Sequence, residues 1–168
     1  MRDENAASST PDIQTAGGQP IQPIDTLDTR QDEAMIKFVQ RRILVVEDDL
    51  SLAHLEAGLL TAQGYIVTTV CSGEEAIEEI QRSLPDLVVL DLDLSGQLNG
   101  WDVLQELRAL AKTPVLLTSA ATAIRQHMLH RGEARATLDH LPKPYHLPIL
   151  LKRIERMLNV TPPLGYAR

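Results

Sequence analysis

Three short runs that hold only apolar residues, Ile43–Val46, Leu87–Leu90 and Pro114–Leu117, constrain this chain more than any other feature. A strand with one wet face alternates apolar and polar residues. A strand without alternation is covered on both faces, as in a parallel sheet flanked by helices. The stretches between the runs have helical spacing. Leu50–Ala62 places Leu52, Leu55, Leu59 and Leu60 on that period and is followed by Gly64, a fitting terminator. Tyr65–Val70 reads as a strand. Ser72 reads as the N-cap of a helix with Glu74 and Glu75 in its first turn, an apolar stripe of Ala76, Ile77 and Ile80, and a stop at Pro85. Gly96 and Gly100 mark a loop before a helix over Trp101–Leu110, with Trp101, Leu104, Leu107 and Leu110 on one face. A helix over Ala121–Arg131, a strand over Ala136–Leu141 and a helix over Leu147–Leu158, carrying Leu150, Leu151, Ile154 and Leu158, complete the series. Five strands alternating with five helices predict an α/β fold, a parallel sheet with right-handed crossovers and both faces covered.

That unit spans residues 41–160. Residues 1–40 differ: they hold Pro11, Pro20, Pro23 and the pair Gly17 and Gly18, and show no apolar period before Ala34. Their acidic excess supplies four of the chain's seven net negative charges. The composition predicts a disordered or weakly ordered tail, with a partner-binding arm as the alternative. Residues 161–168, with two prolines, read as a second tail too short for an output domain. Aromatic residues are only 3% of the chain, so the core must be built from Leu, Ile, Val and Ala. The acidic balance argues against nucleic-acid or anionic-lipid binding, either of which needs a basic face. The single cysteine, Cys71, excludes a disulfide framework, no apolar run approaches a membrane span, and the first ten residues lack the apolar core of a secretory signal. A cytoplasmic location is expected.

In open parallel sheets, ligands sit beyond the carboxyl ends of the strands. Glu47, Asp48 and Asp49 follow the first strand; Asp91 and Asp93 the third; Thr118 and Ser119 the fourth; Lys143 the fifth. Charges directly after buried strands are costly unless they serve one another. Carboxylates converging with one ammonium make a site for a hard divalent cation such as Mg²⁺, which shares its coordination with water and phosphate. The lysine supplies a compact charge for phosphate oxygens, and the serine a donor. Such a set suits phosphoryl transfer, with a carboxylate such as Asp91 as nucleophile. Asp49 reads instead as the cap of the first helix, and Thr118 as a packed residue.

Ile43–Asp49, Leu87–Leu94, Pro114–Ala120 and Leu141–Tyr145, in this order and at strand ends, resemble the receiver domain of two-component response regulators. The resemblance covers Arg41 to about Val160. It implies a doubly wound, flavodoxin-like (βα)5 sheet of strand order 2-1-3-4-5. It implies that Asp91 is the phosphoacceptor and that Mg²⁺ is held by Glu47 and Asp48, with Asp48 the direct ligand and Glu47 acting through water. Asp91 itself and the backbone carbonyl of Asp93 complete the implied metal set. Ser119 matches the hydroxyl residue that turns toward the phosphate, Lys143 the family's lysine, and Pro144 a proline whose peptide bond is commonly cis. His140 occupies the switch position, where Tyr or Phe is usual; an imidazole there responds through charge and hydrogen bonds as well as through burial. The loop 95–100 is longer by about one residue than the family's commonest form. The implied partners are a sensor histidine kinase or a histidine phosphotransfer protein upstream and a target protein downstream. The face of the fourth helix, fifth strand and fifth helix makes dimers or docks targets in this family. Arg125, Arg131, Arg135, Arg153 and Arg156 flank that face, with a merely solvated charged surface as the alternative.

The reading that follows is a single-domain phosphorylation switch, not an enzyme acting on other substrates, with self-phosphorylation and self-dephosphorylation its only chemistry. A phosphate-independent module on the same fold is the rival, and the intact set Glu47, Asp48, Asp91, Ser119 and Lys143 counts against it. A flavodoxin-like cofactor enzyme would need a glycine-rich phosphate loop where Glu47, Asp48 and Asp49 stand. His54, His127, His130 and His146 read as surface residues, Trp101 as packing at the start of its helix, and Cys71 as inert.

Overall fold

The apolar runs form the middle of one sheet. The computed structural model describes residues 40–120, 124, 134 and 136–160. The strands are β1 (Arg42–Val46), β2 (Ile66–Val70), β3 (Leu87–Asp91), β4 (Val115–Ser119) and β5 (Leu138–Pro142). The helices are α1 (Leu50–Ala62), α2 (Gly73–Arg82), α3 (Gly100–Leu110) and α4 (Leu147–Val160). All strand pairs are parallel, in the order β2-β1-β3-β4-β5. Both tails, and the helix expected over 121–131 apart from the buried Ile124, lie outside the described residues, as do His127, His130, Arg125, Arg131 and Arg135.

Alternate residues of each strand point to opposite faces, and each face has its own core. Leu44, Val46, Val88, Leu90, Val115 and Leu117 pack with Ala76 and Ile80 of α2 and Val103, Leu104 and Leu107 of α3. Ile43, Val45, Leu87, Val89 and Leu116 pack with Leu60 of α1 and Leu150, Ile154, Met157 and Leu158 of α4. Each fully buried Leu, Ile or Val contributes roughly 1.5–3 kcal/mol, so the core of aliphatic side chains alone fixes the layer order. β2 is one of the two edge strands and is half exposed, whereas β5 at the other edge is mostly buried.

Two helical faces differ from the expected ones. α1 buries Ala53, Glu56 and Leu60, while Leu55 is 59% exposed and Leu52 and Leu59 are only half buried. α3 buries Val103 beside Leu104 and Leu107, and Leu110 is 54% exposed. On α1 the leucine count mis-set the helix rotation by about one residue, since a 3.6-residue period leaves adjacent stripes nearly degenerate; on α3 Leu104 and Leu107 are buried as expected and Trp101 partly so, and only the terminal Leu110 departs. Helix ends follow local chemistry. Asp49 caps α1 by accepting from the amides of Ser51 and Leu52, Gly64 follows it at φ +88°, and Ser72 caps α2 through the amide of Glu75.

Candidate functional site

Strand register brings the charged residues together. Val46 lies level with Leu90, Leu90 with Leu117, and Ser119 with Pro142. The residues at or just past those positions, Glu47, Asp91, Ser119 and Lys143, therefore meet at one edge of the sheet. Glu47 and Asp91 are each 2% exposed. The Lys143 ammonium donates to both: Nζ is 2.8 Å from Glu47 Oε2, 3.0 Å from Glu47 Oε1 and 2.7 Å from Asp91 Oδ2. Burial pushes the Glu47 carboxyl above its ordinary pKa, with the Asp91 charge adding to it against the pull of Lys143. Burial works against the charged form of Lys143, but its bonds to Asp91 and Glu47 outweigh it and hold the ammonium protonated.

Asp48 stands at the rim. Its carboxylate accepts from the Ser95 amide at 2.9 Å, and hydrogen bonding by Ser95 holds it below the usual carboxylate range. Glu47, Asp48 and Asp91 each present a carboxylate oxygen within 4.8 Å of the others. Asp93 was expected to contribute through its backbone carbonyl, and its side chain is engaged elsewhere: it accepts from the Ala120 amide at 3.0 Å, while the Asp93 amide donates to Asp91 Oδ1 at 3.0 Å. Asp93 thus ties the end of β3 to the end of β4. Lys143 is set by its amide, which donates to the Ser119 carbonyl at 2.8 Å, and the Lys143–Pro144 peptide bond is cis. Ser119 is fully buried, with its Oγ 3.5 Å from His140 Nε2.

The loop after Asp91 is pinned from α2 and α3. Glu74 accepts from the Leu98 amide, and Asn99 caps α3 in a reciprocal box with Asp102. Gly100 touches the strand end: a Cβ there would lie 2.3 Å from the Asp91 carbonyl oxygen. Only glycine permits this approach, which fixes where Asp91 ends its strand. The capping-box spacing of Asn99 and Asp102 is a local signal that could have located this helix start; a single glycine did not betray the contact.

Three further groups answer the other expectations. Arg153 and Arg156 both donate to Asp139, a buried carboxylate on β5, so their charges are engaged within the domain rather than simply solvated. Asp139 and His140 point to opposite sides of the strand. Trp101 is partly buried against the α2–α3 core, and Cys71 is exposed with its thiol pKa pushed up by Glu75, in keeping with an inert residue. Nothing in the chain's pattern marked a buried carboxyl within α1: Glu56 is fully buried and accepts from the Tyr145 hydroxyl at 2.5 Å. Burial pushes Glu56 up to about 7.

A clustered, oxygen-only donor set with one carboxyl already held above its ordinary pKa fits a hard divalent cation better than it fits bare mutual repulsion. No helix among the described residues is long and apolar enough to cross a membrane.

The family model of the response regulator receiver domain matches residues 43–155. The sensory transduction protein RegX3 of Mycolicibacterium smegmatis is 37% identical over 117 residues, 70% of this chain and 50% of that protein. The DNA-binding response regulator MtrA of Mycobacterium leprae is 34% identical over 121 residues, 72% of this chain and 52% of that protein. The chain spans about half the length of these curated relatives. Among solved structures, the receiver domain of NtrX from Brucella abortus superposes with a TM-score of 0.62 at 30% identity, covering 71% of this chain and 99% of that one. A response regulator receiver protein from Sinorhizobium medicae gives 0.63 at 26% identity, covering 72% and 96%.

Proposed function

The chain belongs to the response regulator receiver domain family, and from that premise we propose that Asp91 accepts a phosphoryl group from a phosphohistidine of a sensor histidine kinase or phosphotransfer protein. The observation that carries this reading is a buried aspartate at a strand end, 2.7 Å from a lysine ammonium and clustered with two further carboxylates. In the transfer, an Asp91 carboxylate oxygen forms the new O–P bond as the donor's N–P bond breaks, and the electron pair returns to the imidazole of the donor. Asp91 needs no base, because a carboxylate is ionised at neutral pH. The Asp93 amide on Oδ1 and the Lys143 ammonium on Oδ2 fix the orientation of the nucleophile. The ammonium then has a second task, neutralising charge on the transferred group. Ser119 is placed to donate its hydroxyl to a phosphoryl oxygen after a side-chain rotation, releasing its contact with His140.

Glu47, Asp48 and Asp91 are the residues that would hold Mg²⁺, with the Asp93 carbonyl as a further ligand. When bound, Mg²⁺ supplies charge neutralisation between the carboxylates and the phosphoryl oxygens. The chemistry proposed is limited to self-phosphorylation from a donor and self-dephosphorylation; no other substrate is turned over. The response is a change of partner binding, to a target protein or a second copy, at the face that includes β5 and α4, where His140 adjoins Ser119. A cytoplasmic setting is part of this reading, and DNA binding and membrane insertion are not.

The test is incubation with acetyl phosphate, with and without Mg²⁺, followed by intact mass. One added phosphoryl group, dependent on Mg²⁺ and lost in Asp91→Asn, is expected. Full labelling of Asp91→Asn would overturn the assignment, and an unlabelled wild-type protein would favour the phosphate-independent module.

A further inference from the structure

Glu56 has no role in the site described above, and its burial is costly. Its stripe on α1 is shared with Ala53 and Leu60, and an apolar residue would fill that position without burying a carboxyl. One oxygen, Oε1, accepts from Tyr145; the other, Oε2, is buried without a hydrogen-bond partner. A half-satisfied buried carboxyl persists where its interaction does something that packing cannot.

Its partner points to the task. Tyr145 lies two residues after Lys143, and between them Pro144 carries no N–H and restricts the backbone. The short segment is held at one end by the Lys143 amide on the Ser119 carbonyl and at the other by the Tyr145 hydroxyl on Glu56. The lysine whose ammonium must bridge Glu47 and Asp91 thus sits between two anchors. We propose that Glu56 is a positioning residue for Lys143, acting through Tyr145. The inference rests on the phosphoacceptor reading for its importance, though not for its geometry.

The groups facing Glu56 make the anchor responsive. Tyr145 comes from the loop after β5; Glu47 after β1 and Asp91 on β3 raise its affinity for a proton; and Lys143 lowers it. With burial raising it to about 7, the carboxyl changes charge near neutral pH. The ionised form accepts from the Tyr145 hydroxyl more strongly than the neutral one, since charge-assisted bonds are about twice as strong. The Lys143 segment is therefore held more firmly as pH rises through neutrality.

Glu56→Gln, Glu56→Leu and Tyr145→Phe separate the possibilities. Glutamine keeps an acceptor for Tyr145 without the charge; leucine keeps the packing without an acceptor. The first readout is the NMR signal of the Lys143 ε-methylene, followed with the Glu56 carboxyl carbon from about pH 5.5 to 8.5, which brackets the value to which burial raises Glu56 and lies well above the ordinary carboxyl range. It needs no phosphorylation, so it stands even if Asp91 is never labelled. In the wild type the two signals should titrate together. Glu56→Gln should hold the lysine signal near its wild-type position and abolish the step. Glu56→Leu and Tyr145→Phe should move it toward that of a solvent-exposed lysine. The second readout is the rate of acetyl phosphate labelling, expected to fall roughly tenfold in Glu56→Leu and Tyr145→Phe, the scale of one lost hydrogen bond. In the wild type it should also show a pH step that Glu56→Gln lacks. Melting temperatures control for folding. A Lys143 signal unmoved in Tyr145→Phe and Glu56→Leu, or rates that merely track the melting temperatures, would overturn the proposal.

Discussion

Replacing Lys143 by methionine keeps the length of the side chain and removes its charge. The ammonium contacts three carboxylate oxygens at 2.7–3.0 Å, while its two partners are almost wholly buried. At an effective dielectric constant near 20, a unit charge pair at about 3 Å attracts by about 5 kcal/mol before desolvation is counted. Desolvation of Lys143 is relieved by the substitution, but that of Glu47 and Asp91 is not, and the two carboxylates now face each other without a cation. Losing one partner of a buried pair in this way costs about 3–5 kcal/mol. Urea unfolding at about pH 7.5, without divalent cations, should show a loss of that size. The sign with pH follows from Glu47, whose carboxyl is already raised by burial and loses the pull of Lys143 in the variant. A carboxyl raised in the folded state binds protons more tightly there, so the variant should regain stability as the pH falls from about 7.5 toward 5. Mg²⁺ should regain it too, by about 2.7 kcal/mol at a hundredfold excess over its Kd. Cation binding should survive the substitution, and labelling should not. A variant within about 0.5 kcal/mol of wild type at neutral pH, or one further destabilised by acid, would refute the idea that the ammonium offsets two buried charges.

Two other perturbations probe the frame around Asp91. Gly100→Ala should destabilise by about 1–3 kcal/mol or more, because its Cβ meets backbone atoms of Asp91 at 2.3 Å and Leu92 at 2.7 Å that cannot move without shifting β3; an unchanged urea midpoint would show that the strand end is not held there. In the beryllofluoride-activated protein, His140→Tyr should change the affinity for a partner or a second copy severalfold, because Ser119 Oγ lies 3.5 Å from His140 Nε2 and leaves that contact in the proposed transfer. Asp139 is already held by Arg153 and Arg156 and points to the other side of β5, so it does not take over the contact; an affinity unchanged in His140→Tyr would make His140 a bystander.

The sheet and the site were legible because each leaves a local mark. A strand buried on both faces must lack polar residues for its whole length, so β1, β3 and β4 declare themselves within a few residues. A carboxylate directly after such a strand is equally conspicuous, which exposed Glu47, Asp48 and Asp91, and the lysine of Leu141–Tyr145 completed the set. Helix faces leave a weaker mark. On α1 the leucines at 52, 55 and 59 form a stripe as regular as the true one, and only contact with the sheet and with Tyr145 chooses between them. On α3 the period held for Leu104 and Leu107, and only Leu110, the last residue of the helix, faces water.

Interactions between distant residues leave no mark on either segment alone. Tyr145 and Glu56 are 89 residues apart, and Arg153 and Asp139 are 14 apart on different elements. A glutamate in an amphipathic helix reads as solvent-facing because an ionised carboxylate in a core is prohibitively costly. That reasoning assumes the group has nothing to bond with and must stay charged. Glu56 meets neither condition: a tyrosine hydroxyl reaches it from the loop after β5, and burial raises its pKa to about 7, so that near neutrality it can shed its charge. The rule that places charges outside is thus a statement about unpartnered, permanently ionised groups. It fails where the fold supplies the partner, and here the partner lies two residues from the lysine that the proposed chemistry requires.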